Sequence, residues 1–220
     1  MRRRLVYHAN MSVNAIDPGA ARARGLQQGR LLEYLTIGWN MLEGLVAVGA
    51  GLIAGSAALI GFGLDSFIES LSGGALLWRL GSDEDSGRRE TLALRLVGAS
   101  FIILAAYVAF DAAKALVLRE PPESSYVGIA LSALSLIVMP LLARAKRRVA
   151  ADLGSRALVA DSRQTDICAY LSAILLAGLA LNALAGWWWA DAVAALVMVP
   201  IIAREGVEAL RGETCGGCCD

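Results

Sequence analysis

The chain has 220 residues, of which 57% are hydrophobic and 18% charged, and its twenty basic and twenty acidic residues give a formal net charge of zero. Soluble domains are about half apolar and about a quarter charged, so this composition and a mean hydropathy of +0.57 exclude a secreted domain and most soluble enzymes. The balanced charge provides no overall field for an anionic partner such as nucleic acid.

The first 30 residues are basic at the start and then polar, without the apolar core of a signal peptide, which predicts a flexible cytosolic arm. Residues 31–210 contain six apolar stretches that approach or exceed the roughly 20 residues a helix needs to cross a bilayer. We therefore predict an all-α membrane protein with a six-helix transmembrane domain, followed by a Cys-rich cytosolic tail at 211–220. The predicted spans are Leu35–Ala54, Ala57–Leu77, Leu92–Leu118, Val127–Ala143, Ala157–Leu184 and Trp187–Ala203.

The positions of Lys and Arg predict how the chain is oriented, because cytoplasmic loops retain positive charge. Alternate segments between the spans are rich in these residues, whereas the remaining segments contain little beyond Lys114 and Arg119. Both termini are therefore predicted to be cytosolic, as an even number of spans requires. The basic residues on this side are Arg2, Arg3, Arg4, Arg22, Arg24, Arg30, Arg79, Arg88, Arg89, Arg144, Lys146, Arg147, Arg148, Arg156, Arg204 and Arg211.

Two acidic residues lie in the middle of the second span. Asp65 and Glu69 are four residues apart and so share one face of the helix. Carboxylates about 6 Å apart repel each other unless they are protonated or bridged by a cation. No Arg or Lys is expected deep within any span except Arg95 and Arg163, near the cytosolic ends. Because intramembrane acids are candidates for function, the pair predicts a cation-binding site, although neutral acids bonded to neighbouring helices would also explain it.

The fifth span offers a complementary set of polar side chains. Asp161, Gln164 and Cys168 follow helical spacing and face one direction. Because the second and fifth spans run in opposite directions, side-by-side packing would bring Cys168 level with Asp65, and Gln164 level with Glu69. Carboxylates with a thiol favour Zn²⁺, or a softer ion such as Cd²⁺, over Mg²⁺.

Three further polar residues lie in or beside the spans. Glu43 and Asn40, one turn apart in the first span, are predicted to line the path of the ion. Asp191, at the start of the sixth span, either caps its own helix or takes part in transport. At the end of the chain, Cys215, Cys218 and Cys219 have a spacing that can chelate a soft cation, so metal acquisition by the tail is one interpretation and lipidation is another.

These segments resemble the cation diffusion facilitator, or cation efflux, family. The resemblance is carried by GSAAL at 55–59 with DSFIES at 65–70, by ADSRQ at 160–164 with Cys168, and by WADAVAAL at 189–196. It covers most of residues 30–210 and is greatest for the transmembrane protein 163 subgroup. Members of the family resemble one another in having six spans and cytosolic ends, and many carry a cytosolic metal-binding domain, which we expect to be missing here.

The resemblance implies a homodimeric exporter that exchanges Zn²⁺ or a related divalent cation for protons and has no prosthetic group. Carried over position by position, its metal site comprises Asp65, Glu69, Gln164 and Cys168. The usual fifth-helix ligands are His or Asp followed by Asp, whereas Gln and Cys occupy those positions here. Either Asp161 takes the place of Gln164, or the metal differs, or transport is altered.

The functions that remain are proton-coupled efflux by alternating access and a membrane metal sensor or modulatory subunit that does not transport. An intramembrane aspartyl protease is a third alternative, since GFGLD at 61–65 resembles its glycine-flanked aspartate. However, the spacing differs by one residue and the partner Tyr-Asp motif is missing. The excess of Arg over Lys, with abundant Ala and Gly, indicates a bacterial protein of the inner membrane.

Overall fold

The computed structural model describes residues 18–80 and 87–211, which form six α-helices without strands. This architecture confirms the predicted all-α fold. In the described residues, four of the six helices, α1, α3, α4 and α5, are long and apolar enough to cross a membrane. The helices are α1 Pro18–Ala54, α2 Ala57–Leu80, α3 Gly87–Leu118, α4 Tyr126–Leu153, α5 Arg156–Ala185 and α6 Ala190–Leu210.

The helices extend beyond the predicted spans at several ends. Because α1 begins at Pro18, residues 18–30, predicted as part of the arm, are helical. Similarly, α4 continues past Ala143 through a segment predicted to be a cytosolic loop. Ala, Arg and Lys are all good helix formers, so a helix continues after its apolar stretch has ended. Hydropathy locates where the chain leaves the lipid and not where the helix stops.

Capping residues determine where α4 ends and α5 begins. Gly154 adopts a left-handed φ of 61° and donates its N–H to the carbonyl of Ala150, a conformation that glycine adopts without steric cost. The side chain of Ser155 then accepts the N–H of Leu158. The α4–α5 turn is therefore only two residues long, and α4 and α5 form an antiparallel hairpin.

Three connections meet at one end of the bundle. The N–H of Glu123 donates to the carbonyl of Ala54 at 2.8 Å, and the side-chain amide of Asn182 donates to the carbonyl of Pro122 at 3.1 Å. These bonds join the α1–α2, α3–α4 and α5–α6 connections. Successive helices therefore alternate in direction, and the last turn of α2, the first turn of α3 and the α4–α5 turn lie at the other end, named here the basic end. The basic end is the one predicted to be cytosolic.

Helix α2 lies at the centre of the bundle. It packs against α1, α3, α5 and α6, and residues 56–63 are buried on every side of the helix. Large apolar side chains such as Ile53, Phe110 and Leu184 point outward, with exposures of 83%, 72% and 87%. Exposed apolar surface on this scale fits contact with lipid and not with water.

Helices α3 and α6 form a closely packed pair. A Cβ added at Gly98 of α3 would lie 2.8 Å from the carbonyl oxygen of Gly206, and one added at Gly206 would lie 3.0 Å from the carbonyl oxygen of Gly98. The two backbones thus touch directly, as small residues allow in membrane helices. This contact makes α3 and α6 one packing unit beside the other four helices.

Candidate metal centre

A small cavity lies between α2, α5 and the α3–α6 pair. Its volume is about 10 Å³, which is room for one water-sized sphere. Five polar and four apolar residues line it. They are Asp65, Glu69, Gln164, Cys168 and Glu205, with Phe101, Ile167, Leu171 and Ile202.

The structure brings together the four residues that the family resemblance selects. Asp65 and Glu69 are one turn apart on α2, and Gln164 and Cys168 are one turn apart on α5. The two helices run in opposite directions, so both pairs face the same cavity. Asp65 is 6% exposed, Glu69 5% and Cys168 1%. The surroundings are therefore shielded from water, where attraction between a cation and these carboxylates is strong.

The cavity side chains are not arranged as a metal cage. In the described parts of the chain, no group of three or more His, Cys, Asp and Glu residues is placed to hold one metal ion. The side-chain oxygen of Gln164 accepts the hydroxyl of Ser72 at 3.1 Å, whereas Oε1 of Glu69 is buried without a hydrogen-bond partner. An unpartnered buried carboxylate oxygen is costly, so Glu69 has an unused acceptor at the cavity.

Asp161, the alternative ligand, is engaged elsewhere. Its Oδ2 lies 2.5 Å from Nζ of Lys146, which also contacts Oε2 of Glu33 at 3.2 Å and Oγ1 of Thr165 at 3.4 Å. Asp161 does not line the cavity. Because Lys146 neutralises it, the structure offers no support for Asp161 in place of Gln164.

The position of Lys146 corrects two sequence expectations. The sequence predicts that Lys146 belongs to a cytosolic loop, whereas it lies inside α4 and its side chain is fully buried. The sequence also predicts that no Lys or Arg is deeply placed except Arg95 and Arg163, and the burial of Lys146 shows that this expectation was wrong. The buried ammonium is close enough to Glu69 to interact with it electrostatically, so one positive charge lies near the candidate metal centre.

Glu43 and Asn40 are fully buried on α1 beside the cavity. Oε2 of Glu43 accepts the hydroxyl of Ser66 at 3.0 Å and lies 4.0 Å from Sγ of Cys168. Oε1 of Glu43 and both amide atoms of Asn40 have no hydrogen-bond partner. Glu43 thus reaches the candidate centre through Cys168, and unsatisfied polar atoms continue from there along α1.

Asp191 belongs to α6 but caps the start of α2. Its Oδ1 accepts the hydroxyl of Ser56 at 2.5 Å, and its Oδ2 lies 3.5 Å from the N–H of Ala58. It therefore caps the first turn of α2, whereas α6 begins at Ala190 without a side-chain cap bond. Ser56 and Asp191 lie at the end opposite the basic end, away from the cavity.

Glu205 was missed because the sixth span was predicted to end at Ala203. The helix continues to Leu210, and Glu205 lines the cavity. The sequence contains a signal for it in the spacing of positions along α6. The positions that are buried are separated by four and three residues in turn, and the next step of three reaches Glu205. The stripe comprises Asp191, Ala195, Met198 and Ile202.

Some predicted features lie outside the described residues. They are the arm before residue 18 and the tail cysteines Cys215, Cys218 and Cys219. Their predicted roles therefore stay predictions.

The family profile described as "Cation efflux transmembrane domain" matches residues 35–213. The chain belongs to the cation efflux family. This confirms the resemblance, and because members of the family are transporters, it also confirms that the chain is an integral membrane protein and not an enzyme.

Three relatives show how far the similarity extends. Transmembrane protein 163 of Xenopus laevis is 26% identical over 81% of this chain and 65% of its own length. The cation-efflux pump FieF of Shewanella oneidensis is 27% identical over 72% of this chain and 56% of its own. An uncharacterised transporter of Methanocaldococcus jannaschii is 27% identical over 77% of this chain and 63% of its own. The chain thus spans between 56% and 65% of the length of these relatives.

Proposed function

We propose that this protein exports a divalent metal cation and that Asp65, Glu69, Gln164 and Cys168 hold the cation in transit. The observation that carries the proposal is their meeting at one buried cavity. The family match also supports it, since the matched segment includes all four residues.

The charges at the cavity favour a dication as substrate. Within the described residues, neither Asp65 nor Glu69 forms a salt bridge, because Lys146 pairs with Glu33 and Asp161. A charged side chain in the middle of a bilayer costs about 2.5–3.5 kcal/mol on the insertion scale. One divalent cation between the two carboxylates would offset this cost for both.

The donor atoms narrow the choice of cation. Two carboxylates and a thiol suit Zn²⁺ or Cd²⁺, whereas Mg²⁺ requires oxygen ligands and retains several of its waters. We infer that Zn²⁺, or a softer ion of the same charge, is the substrate. Cys168 supplies the soft donor in this set.

The mechanism we propose is alternating access coupled to protons. The cavity lies between α2 and α5 on one side and the α3–α6 pair on the other, so movement of that pair would expose it to one side of the membrane at a time. Protons and the metal compete for the same carboxylates, and proton flow inward could therefore drive the metal outward. In keeping with the resemblance, we propose a homodimer, located in a bacterial inner membrane.

Flux into proteoliposomes tests the proposal. The purified protein should transport Zn²⁺ or Cd²⁺, and Asp65→Asn should abolish this flux because it removes one of the two charges that face the ion. Asp166→Asn is the matched control, since Asp166 lies between Gln164 and Cys168 in sequence but pairs with Arg147 outside the cavity. Equal flux in wild type and Asp65→Asn would exclude this centre from transport.

A second candidate function is a membrane metal sensor or modulatory subunit. It is favoured by Gln164, whose amide is a weak ligand for zinc and whose oxygen already accepts a hydrogen bond from Ser72. Such a protein would bind the cation but show no flux when reconstituted alone. Titration of the detergent-purified protein with Cd²⁺, beside the flux assay, separates the two functions.

A further inference from the structure

Among the described residues that line the cavity, Glu205 is the one polar residue that comes from the α3–α6 pair. The other four polar residues belong to α2 and α5, whereas Phe101 and Ile202 are the apolar contributions of α3 and α6. Glu205 therefore faces the four candidate ligands across the boundary between the two parts of the bundle. None of the family motifs recognised in the sequence includes it.

The register of α2 and α6 places Glu205 on the basic-end side of the cavity. Both helices run toward the basic end, and Asp191 of α6 lies beside Ser56 and Ala58 at the start of α2. Both rise by about 1.5 Å per residue, so Glu205 comes level with positions 70–72 of α2. That level is just beyond Glu69 toward the basic end, where a cation arriving from the predicted cytosolic side would enter.

Glu205 adds a third carboxylate to the cavity. It is close enough to Asp65 and Glu69 to interact with both electrostatically, and it is half-buried. Three carboxylates at one cavity repel each other unless they are protonated or bridged by a cation. Glu69, which is 5% exposed and lines this same cavity, has an Oε1 without a hydrogen-bond partner.

The part of α6 that carries Glu205 packs closely against α3 and is separated from the first half of α6 by a proline. Gly206, the next residue, packs directly against the backbone of Gly98. Five residues earlier, Pro200 lies inside the helix, where it removes one backbone hydrogen bond and favours a kink. A force on Glu205 would therefore move α3 together with the part of α6 that lies between Pro200 and the basic end.

We propose that Glu205 is a further ligand for the transported cation, and the first that the cation meets when it enters from the basic end. By binding Glu205, the cation draws the α3–α6 pair toward α2. Without the cation, the carboxyl groups of Glu205, Asp65 and Glu69 have no common partner that holds the two sides of the cavity together. A bound dication provides that partner and brings the three carboxylates together. This inference rests on the proposed function, and it gives α6 a ligand that couples binding of the cation to movement of the α3–α6 pair.

The test compares Glu205→Gln with Glu208→Gln. Glu208 lies on the same helix, pairs with Arg204 and interacts electrostatically with Glu205, but it does not line the cavity, so it separates loss of a nearby charge from loss of a ligand. In proteoliposomes with Cd²⁺ supplied at the basic end, Glu205→Gln should raise the concentration for half-maximal flux at least about tenfold, the usual effect of losing even an outer partner of a metal ligand. Glu208→Gln should leave it within about twofold of wild type.

Glu205→Asp is a second variant that keeps the negative charge but shortens its reach. We expect it to lie between wild type and Glu205→Gln, both in flux and in Cd²⁺ affinity measured by calorimetry on detergent-purified protein. Wild-type values for both Glu205 variants, with flux abolished in Asp65→Asn, would overturn the role of Glu205 but leave the exporter intact. Normal flux in Asp65→Asn would instead overturn the proposed function itself.

Discussion

Lys146 of α4 and Asp161 of α5 form a buried ion pair whose Nζ and Oδ2 atoms are 2.5 Å apart. The same ammonium contacts Glu33 of α1 at 3.2 Å, so a single positive charge links three helices. Glu33 and Lys146 are fully buried, and Oε1 of Glu33 has no hydrogen-bond partner. The cluster joins α1, α4 and α5 on the side of the bundle away from the α3–α6 pair.

Removing this ammonium should destabilise the fold. We expect Lys146→Met to lower the free energy of unfolding by about 3–5 kcal/mol, because it leaves Glu33 and Asp161 buried without a counter-charge. Denaturant titration in detergent, followed by tryptophan fluorescence, measures the change. The triple variant that adds Glu33→Gln and Asp161→Asn should regain most of the loss. A triple variant no more stable than Lys146→Met would contradict the electrostatic explanation.

The cap on α2 should contribute less to stability. Asp191→Ala removes the acceptor for Ser56 and for the start of α2, and we expect it to cost about 1 kcal/mol, as helix caps usually do. Ser56→Ala should cost a similar amount, and the double variant should cost less than the two single changes together because both remove the same bond. Flux of reconstituted Asp191→Ala should stay near that of wild type, since Asp191 lies away from the cavity. Strictly additive losses would show that the bond contributes nothing.

The contact between Gly98 and Gly206 should tolerate no side chain. Gly206→Leu would push the backbones of α3 and α6 apart, because even a Cβ would lie 2.8 Å from Ile102 and 3.0 Å from the carbonyl oxygen of Gly98. We expect flux to fall at least about tenfold. Gly49→Leu on α1 is the control, since nothing lies within 4 Å of the Cβ position there. A Gly206→Leu protein that transports as well as wild type would show that this close packing is dispensable.

Cys168 should influence which cation is preferred. Cys168→Ser replaces a soft sulfur donor with a hard oxygen, so transport of Cd²⁺ should decline more than transport of Mn²⁺. The ratio of initial rates for the two ions, measured in one batch of proteoliposomes, removes differences in protein content. Cys168→Ala serves as the control for loss of packing volume. An unchanged ratio in Cys168→Ser would exclude the sulfur from the ligand set.

Local sequence pattern predicted much of the fold and part of the candidate centre. Apolar runs located all six helices, and helix direction with four-residue spacing placed Asp65 and Glu69 opposite Gln164 and Cys168. These features depend on neighbouring residues along one helix or on the alternation of helices. They can therefore be derived without knowing how the helices are packed.

Features that depend on distant residues escaped prediction. Lys146 looked like a loop residue because hydropathy treats any charge as a sign of water, whereas its partners Glu33 and Asp161 lie on other helices. Asp191 caps α2 instead of α6 because its partner, Ser56, comes much earlier in the chain. Glu205 was excluded when the span was ended at Ala203, although the buried stripe on α6 continues to it.

The length of α1 has a mechanical consequence. Its 37 residues correspond to about 55 Å of helix, nearly twice the hydrocarbon thickness of about 30 Å. The portion of α1 beyond the lipid packs against the end of α4, since Gly25 lies against the side chain of Leu153. The same continuous rod carries Glu33 and Glu43 into the bundle. A pull or twist applied in the aqueous phase near its start would thus be transmitted along a stiff lever to the polar interior.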